Sequence, residues 1–196
     1  MLDSTNCHIV LASGSPRRRE LLQRIGITAF RIVVPDADET CPAGLSPQET
    51  VERIARAKAE AAKALTAPDE VVITADTMVF FGGERLGKPH DAADAARMLR
   101  ELSGQKHTVC TGVTVRRGET LRCAAVSTDV WFRALSEREI ANYVASGEPM
   151  DKAGAYGIQG LGALLVERID GDFFNVMGLP LLPLAQMLRA FGIELL

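Results

Sequence analysis

Residues 8–22 read HIVLASGSPRRRELL. The apolar run at its start predicts a strand, Ser13-Gly14-Ser15 a tight turn, and Pro16 the first residue of a helix capped by Ser15. A strand feeding directly into a helix is the opening unit of an α/β sheet. The helix then begins against its own dipole: Arg17, Arg18 and Arg19 fill a first turn that favours acids. Each exposed cation there costs roughly 0.3–1 kcal/mol. A polyanionic ligand gives that arrangement a purpose. Free N–H groups, the hydroxyls of Ser13 and Ser15 and the guanidinium forks of Arg17 and Arg18 together make a phosphate site. The alternative is a solvated basic turn paired with acids elsewhere.

Strand-like runs recur at about 8–12, 30–34, 70–81, 107–116, 121–133 and 162–176, with helix-like segments at about 16–26, 47–66, 91–103, 136–146 and 180–192. This alternation predicts an α/β fold, a twisted sheet flanked by helices in a single domain over residues 1–196, with two lobes around a cleft. The stretches 107–133 and 162–176 read as hairpins with turns at Arg117-Gly118 and Asp170-Gly171, so the sheet is expected to be mixed. Pro35–Ser46 is the longest irregular loop. Ser46-Pro47-Gln48-Glu49 spells a capping box with proline at the first helical position. The helix it opens carries an apolar stripe of Val51, Ile54, Ala55, Ala62 and Leu65. Lys58 falls on that stripe, where it either snorkels to the surface or aims its ammonium into a cleft beside acidic or phosphate groups.

Charge and composition exclude several classes. A net charge of −3 argues against a broad basic face for duplex nucleic acid, and 5% aromatics offers few stacking platforms for single strands. The four cysteines, Cys7, Cys41, Cys110 and Cys123, form no C-x-x-C pair and read as reduced thiols. No apolar run is long enough to span a membrane, and MLDSTNCHIV lacks the pattern of a secretory leader. A soluble cytoplasmic protein is expected.

Three further clusters can carry chemistry. In VVITADTMVFF, Asp76 interrupts an apolar strand, and an unpaired buried carboxylate costs several kcal/mol. It must meet a cation, a metal or water, either as a structural ion pair or as a catalytic carboxylate displayed at a strand end beside Thr77. Gly82-Gly83-Glu84-Arg85-Leu86-Gly87-Lys88-Pro89 has P-loop spacing, but Pro89 replaces the Ser or Thr that would hold magnesium. The following helix is expected to start only after Asp91, so the P-loop reading fails, while Lys88 remains a point charge for phosphate. In DKAGAYGIQG, residues 151–160, three glycines suit either close approach of a ligand or a kinked loop. Gln159 there offers a donor and an acceptor, which suits the edge of a planar base.

Taken in order, SGSPRRRELL, the Asp36 region, Lys58 in RIARAKAEAA, ADTMV, GKPHD, LSGQKHTVCTGV and DKAGAYGIQG resemble the Maf family of nucleoside triphosphate pyrophosphatases over nearly the whole chain. The last of these is similar to the branch of the family that acts on dTTP and UTP. The resemblance implies a nucleoside triphosphate substrate, cleavage between its α- and β-phosphates, and help from a divalent metal, Mg or Mn. It implies Asp76 as the catalytic carboxylate, Arg17, Thr77 and Gln159 as substrate-selecting residues, and Ser13, Ser15, Arg18, Lys58 and Lys88 as the phosphate lining. Asp76 and Asp36 are the implied metal ligands, Asp36 standing where many members carry glutamate. A homodimer is implied in the same way. Whether Asp76 acts as ligand, orienter or base stays open at this point, as does a non-catalytic nucleotide-binding regulator of cell division. A purine-reading inosine triphosphate pyrophosphatase is disfavoured by AYGIQG.

Overall fold

The computed structural model describes residues 8–196; Cys7 lies outside the described residues. The strands are β1 (Ile9–Ala12), β2 (Phe30–Val33), β3 (Val71–Phe81), β4 (Glu84–Leu86), β5 (Lys106–Arg117), β6 (Thr120–Phe132) and β7 (Val166–Asp170). The helices are α1 (Pro16–Arg24), α2 (Pro47–Ala61), α3 (Ala92–Leu102), α4 (Glu137–Ala145), α5 (Phe173–Met177) and α6 (Leu181–Arg189). The strands pair in the order β2-β1-β3-β5-β6-β7, with β4 on β3. β1 runs parallel to β2 and β3, while β4 and β7 pair antiparallel with β3 and β6, so the sheet is mixed as expected.

Two compact units share the chain. The first comprises the segments up to Asp76, Thr111–Val126 and Gly178–Leu196, and the second Thr77–Cys110 and Ser127–Met177.

In the first unit, β1 is buried along its whole length, as an apolar strand flanked by two parallel neighbours should be. The sequence expectation for α2 holds at its start: Ser46 accepts from the Glu49 amide and the Glu49 carboxylate accepts from the Ser46 amide. Val51, Ile54, Ala55, Ala59 and Ala62 are buried, whereas Leu65, expected on the same stripe, is 45% exposed because a 3-10 turn at Ala62–Leu65 re-aims it. Two close contacts set the height of α2 over the sheet. Thr74 Oγ1 of β3 donates to the Ala55 carbonyl at 2.7 Å. At Gly112 of β5 a Cβ would collide with the Val51 carbonyl oxygen and lie 2.8 Å from the Glu52 nitrogen. Only a glycine lets the helix backbone come this near.

The second unit packs α3 on its strands through Ala95, Met98, Leu99 and Leu102, a spacing of one helical face. His107, Phe132 and Tyr156 form an edge-to-face trio with ring centroids 4.6–5.2 Å apart inside that core. Gly82 and Gly83 both have positive φ and join β3 to β4 in a two-residue hairpin that the sequence reading did not separate out. Gly82, the first glycine of the apparent P-loop spacing, is thus a hairpin-turn residue, and α3 starts only after Asp91, whose side chain accepts from the Asp94 amide at 2.8 Å.

The second predicted hairpin is corrected. Residues 160–164 form a 3-10 turn, β7 ends at Asp170, and 173–177 is helical. Asp172 Oδ1 accepts from the Phe174 amide at 2.7 Å, and the fully buried Asn175 donates to the Val109 carbonyl at 3.0 Å and to Thr128 Oγ1 at 2.9 Å. Those bonds to distant strands outweigh the strand preference of Phe173-Phe174.

Gly112→Ala should therefore destabilise the protein strongly, since its new methyl meets helix backbone rather than a movable side chain. Overpacking of this kind costs about 1–3 kcal/mol, or a fall in Tm of roughly 2–12 °C at this size. Thermal unfolding followed by circular dichroism checks this.

Candidate active site

The first unit assembles a compact group of charges. β3 continues unbroken through Asp76, so the carboxylate projects from mid-strand rather than from a strand end, and only 6% of the residue is exposed. Lys58 answers it from α2: its Nζ donates to Asp76 Oδ1 at 2.7 Å. The same ammonium lies 2.9 Å from Glu39 Oε1, on the irregular loop before α2. Lys58 thus turns toward carboxylates, and one cation serves two acids. The second Asp76 oxygen, Oδ2, is buried and accepts no hydrogen bond among the described residues. Burying a carboxylate oxygen without a donor is costly, and native proteins keep such a cost mainly where a ligand relieves it.

Arg18 belongs to the same unit and the same field. Burial lowers its pKa, the charges of Asp76 and Glu39 oppose that, and Arg17 adds to the lowering. Its Nε donates to the Gly178 carbonyl at 2.8 Å and its Nη1 to Ser13 Oγ at 3.1 Å. Ser13 Oγ also accepts from the Ser15 amide at 3.3 Å. With both lone pairs used, the Ser13 hydroxyl has its proton left to offer an anion. Ser15 takes the expected N-cap position but makes no capping bond through its side chain, and no acid occupies the first turn of α1. Arg17 is half-buried and Arg19 exposed.

Asp36 is exposed, and Glu39, three residues later in the same loop, is the acid that meets Lys58. The sequence reading passed over Glu39. Its signal was the acidic run Asp36-Ala37-Asp38-Glu39 within an irregular loop, whose register over a distant lysine no local pattern specifies. Among the described residues no three His, Cys, Asp or Glu side chains gather into a ready-made metal cage. An open cavity of about 650 Å³ in this unit, lined by Asp38, Thr40, Glu49, Glu52, Arg53, Arg56 and Ala57, contains none of the singled-out residues. Cys41, Cys110 and Cys123 are free thiols, and burial pushes the latter two above the usual thiol range.

Thr77, Lys88 and Gln159 belong to the second unit. Thr77 follows Asp76 in β3 and is half-buried, Lys88 is exposed, and Gln159 is half-buried. The Gly87 carbonyl, next to Lys88, accepts from the Gly154 amide at 3.0 Å, which ties GKPHD to DKAGAYGIQG. His107 of LSGQKHTVCTGV reaches that second motif as well, its Nε2 lying 2.7 Å from Tyr156 Oη.

A mixed α/β fold with a carboxylate–ammonium pair and an arginine-opened helix is equipped to handle a polyanionic substrate. The chain belongs to the Maf family: residues 8–191 match the model of Maf-like proteins. It is 52% identical over 183 residues to the dTTP/UTP pyrophosphatase of Vibrio cholerae serotype O1, covering 93% of this chain and 97% of that one. Identity to the dTTP/UTP pyrophosphatase of Pelotomaculum thermopropionicum is 51% over 190 residues, with 96% and 98% covered. The dTTP/UTP pyrophosphatase of Escherichia coli O157:H7 is 51% identical over 184 residues, with 94% and 93% covered. The solved structure of a HAM1 protein from Coxiella burnetii aligns with 94% of this chain at 14% identity and a TM-score of 0.49.

His107 gives the second unit a defined acid response. Burial pushes its pKa from 6.5 down to about 4, with the charge of Asp129 opposing. Below pH 6.5 the unfolded chain takes up a proton that the folded one refuses, so stability is complete above 6.5 and declines as pH falls toward 4. The loss is on the order of 3 kcal/mol at full acidification. Glu70 and Glu139, both held near 2 from 4.5 by ion pairs with Arg31 and Arg133, lose their contributions mostly below this window. His107→Gln should flatten the stability profile between pH 6.5 and 4, measured by urea unfolding, whereas parallel profiles would remove His107 as the cause.

Proposed function

We propose that this protein is a nucleoside triphosphate pyrophosphatase that hydrolyses dTTP and UTP to the nucleoside monophosphate and pyrophosphate. The strongest support in the geometry is Asp76, bound to Lys58 through one oxygen while its other oxygen is buried and unpartnered. The identity to dTTP/UTP pyrophosphatases over more than nine-tenths of each chain supports the substrate. The intact Asp76–Lys58 pair disfavours a non-catalytic nucleotide-binding regulator.

A divalent cation such as Mg or Mn, when bound, neutralises phosphate charge and acidifies a coordinated water. Asp76 and Glu39, which meet at the Lys58 ammonium, are the carboxylates best placed to hold it, with Asp36 three residues before Glu39 in the same exposed loop. Hard cations are commonly held by one or two carboxylates together with substrate phosphate oxygens, which agrees with the lack of a three-residue cage among the described residues.

The chain's own groups then divide the work. Asp76 Oδ2 orients the attacking water and accepts its proton as the bond between the α- and β-phosphates breaks. Lys58 holds the Asp76 carboxylate in place through its ion pair, and Arg17, Arg18, Ser13, Ser15 and Lys88 stabilise the charge that collects on the leaving pyrophosphate. Gln159 reads the base: its amide acceptor and donor complement the N3–H and O4 of uracil or thymine. Thr77 takes part in substrate selection. A cytoplasmic location follows from the nucleotide substrate. Among the described residues no helix is long and apolar enough to cross a membrane. A homodimer follows from the family resemblance, and light scattering should return twice the mass of the 21.1 kDa chain.

Incubated with UTP or dTTP and magnesium or manganese, the enzyme should release monophosphate and pyrophosphate as first products. Diphosphate and inorganic phosphate on ion-exchange chromatography would overturn the assignment. Asp76→Asn should lower kcat by about 10²-fold or more, with nucleotide binding retained. A variant within a few-fold of wild type would make Asp76 structural.

A further inference from the structure

Around Gln159 the backbone is held by two side chains with no part in the chemistry above. Tyr143, buried on α4, donates its hydroxyl to Glu148 Oε1 at 2.9 Å and accepts from the Gly157 amide at 3.1 Å. Glu148 Oε2 accepts from the Leu161 amide at 3.0 Å, and Oε1 accepts from the Gly162 amide at 3.1 Å. One carboxylate and one phenol thereby hold three amides on both sides of Gln159. Lys152 steadies the hub from beneath, donating to the Glu148 carbonyl at 2.5 Å. Burial raises the Tyr143 pKa well above the usual phenol range, so the hydroxyl keeps its proton across the working pH range.

The glycine spacing of this loop follows from the same hub. A Cβ at Gly160 would lie 2.7 Å from Glu148 Oε2. At Gly162 it would lie 2.6 Å from Tyr143 Oη and collide with the Gly157 carbonyl. At Gly157 it would lie 2.9 Å from Lys152 Cε. The glycines let the chain wrap onto Glu148 and Tyr143, and they leave it otherwise soft, since glycine is the most conformationally free residue. Reading a base edge with one amide requires donor and acceptor to be held within about 0.5 Å and 10–20°. A glycine-rich segment cannot meet that unaided. Charge-assisted bonds to a single carboxylate, roughly twice as strong as neutral ones, can impose it.

We propose that Glu148 and Tyr143 are positioning residues for nucleobase selection, fixing residues 157–162 so that the Gln159 amide faces a pyrimidine edge in one register. This rests on the reading of Gln159 as the base reader. Neither residue touches the triphosphate in this scheme, so their effect falls on which base is accepted and not on bond cleavage.

The test compares kcat and KM for UTP and CTP, which differ at the base edge that Gln159 would read. Glu148→Gln keeps size but turns one acceptor into a donor facing an N–H. Tyr143→Phe removes one hydroxyl and strands the Gly157 amide. Each should lower the UTP-to-CTP ratio of kcat/KM by about 5- to 30-fold, through a raised KM for UTP with kcat within about 3-fold of wild type. In a Gln159→Ala background, where the ratio has already collapsed, adding Glu148→Gln should change it less than about 2-fold, the non-additivity of residues acting through one group. If Glu148→Gln does not fold, Tyr143→Phe carries the same comparison. An unchanged ratio in a folded variant, or an equal further fall in the Gln159→Ala background, overturns the proposal. A wild-type ratio in Gln159→Ala alone overturns the base-reader reading and this proposal with it, whereas an unchanged ratio in the hub variants leaves that reading standing.

Discussion

A carboxylate in the middle of a buried strand is the constraint around which the first unit is arranged. Asp76 interrupts the run Val71–Phe81 where every preceding residue is buried, and a bare carboxylate there would cost more than most single mutations. The Lys58 ammonium answers that cost, and Lys58 reaches Asp76 only if α2 lies at one height over the sheet. The Ser46–Glu49 capping box starts the helix about 18 Å of helical rise before Lys58. Gly112 and Thr74 then hold the helix against β5 and β3. The irregular loop ahead of α2 brings Glu39 to the same ammonium. One cation between two acids leaves Asp76 Oδ2 unsatisfied, and an unsatisfied oxygen beside a cluster of arginines and lysine is what a polyanion and its counter-ion can complete.

The second unit solves a different problem, that of holding a segment with little regular structure. Residues 146–165 contain only short 3-10 turns, with Gly154 and Ala155 both at positive φ. Buried polar side chains take the place of a ladder there. His107 bonds to Tyr156, Tyr143 and Glu148 collect the amides of Gly157, Leu161 and Gly162, and the Gly87 carbonyl takes the Gly154 amide. The His107 and Tyr143 bonds tie the segment to β5 and α4, and Glu148 and Gly87 cross-link it to itself and to the turn after β4, so the loop gains rigidity from both. The base selection proposed for Gln159 requires that rigidity, which a freely moving glycine loop would not supply.

Much of the fold was legible because its signals are local. The Ser46–Glu49 capping box, the proline at N1 of α1 and α2, and the Asp91 cap of α3 each act within a turn or two of chain, and each reappears in the structure. Asp76 and Lys58 stood out for the same reason, as charges at positions that periodicity assigns to the interior. The reading failed where a distant contact outweighs a local preference. Phe173-Phe174 prefers a strand, yet bonds from Asn175 to β5 and β6 wind the segment into a helix. The turn at Gly82-Gly83 was not read as a hairpin either, because the pairing of β4 with β3 that makes it one is a tertiary contact.

The amino-acid sequence by itself determined most of the element types, the mixed sheet, the charged residues in play and the family resemblance, because capping, periodicity and turn chemistry depend on neighbours a few residues apart. Tertiary structure decided which charges meet. Lys58 is 18 residues from Asp76 in the chain and Glu39 a further 19 before Lys58, and no local rule says that one ammonium serves both, or that Glu39 rather than Asp36 is the acid turned toward it. Likewise the glycines of residues 154–162 were visible as letters, but their reason was not. It lies in Tyr143, Glu148, Lys152 and Val79, side chains brought against them only when the helix, the strand and the loop have packed, since close approach is a property of three-dimensional distance and leaves no period in the sequence.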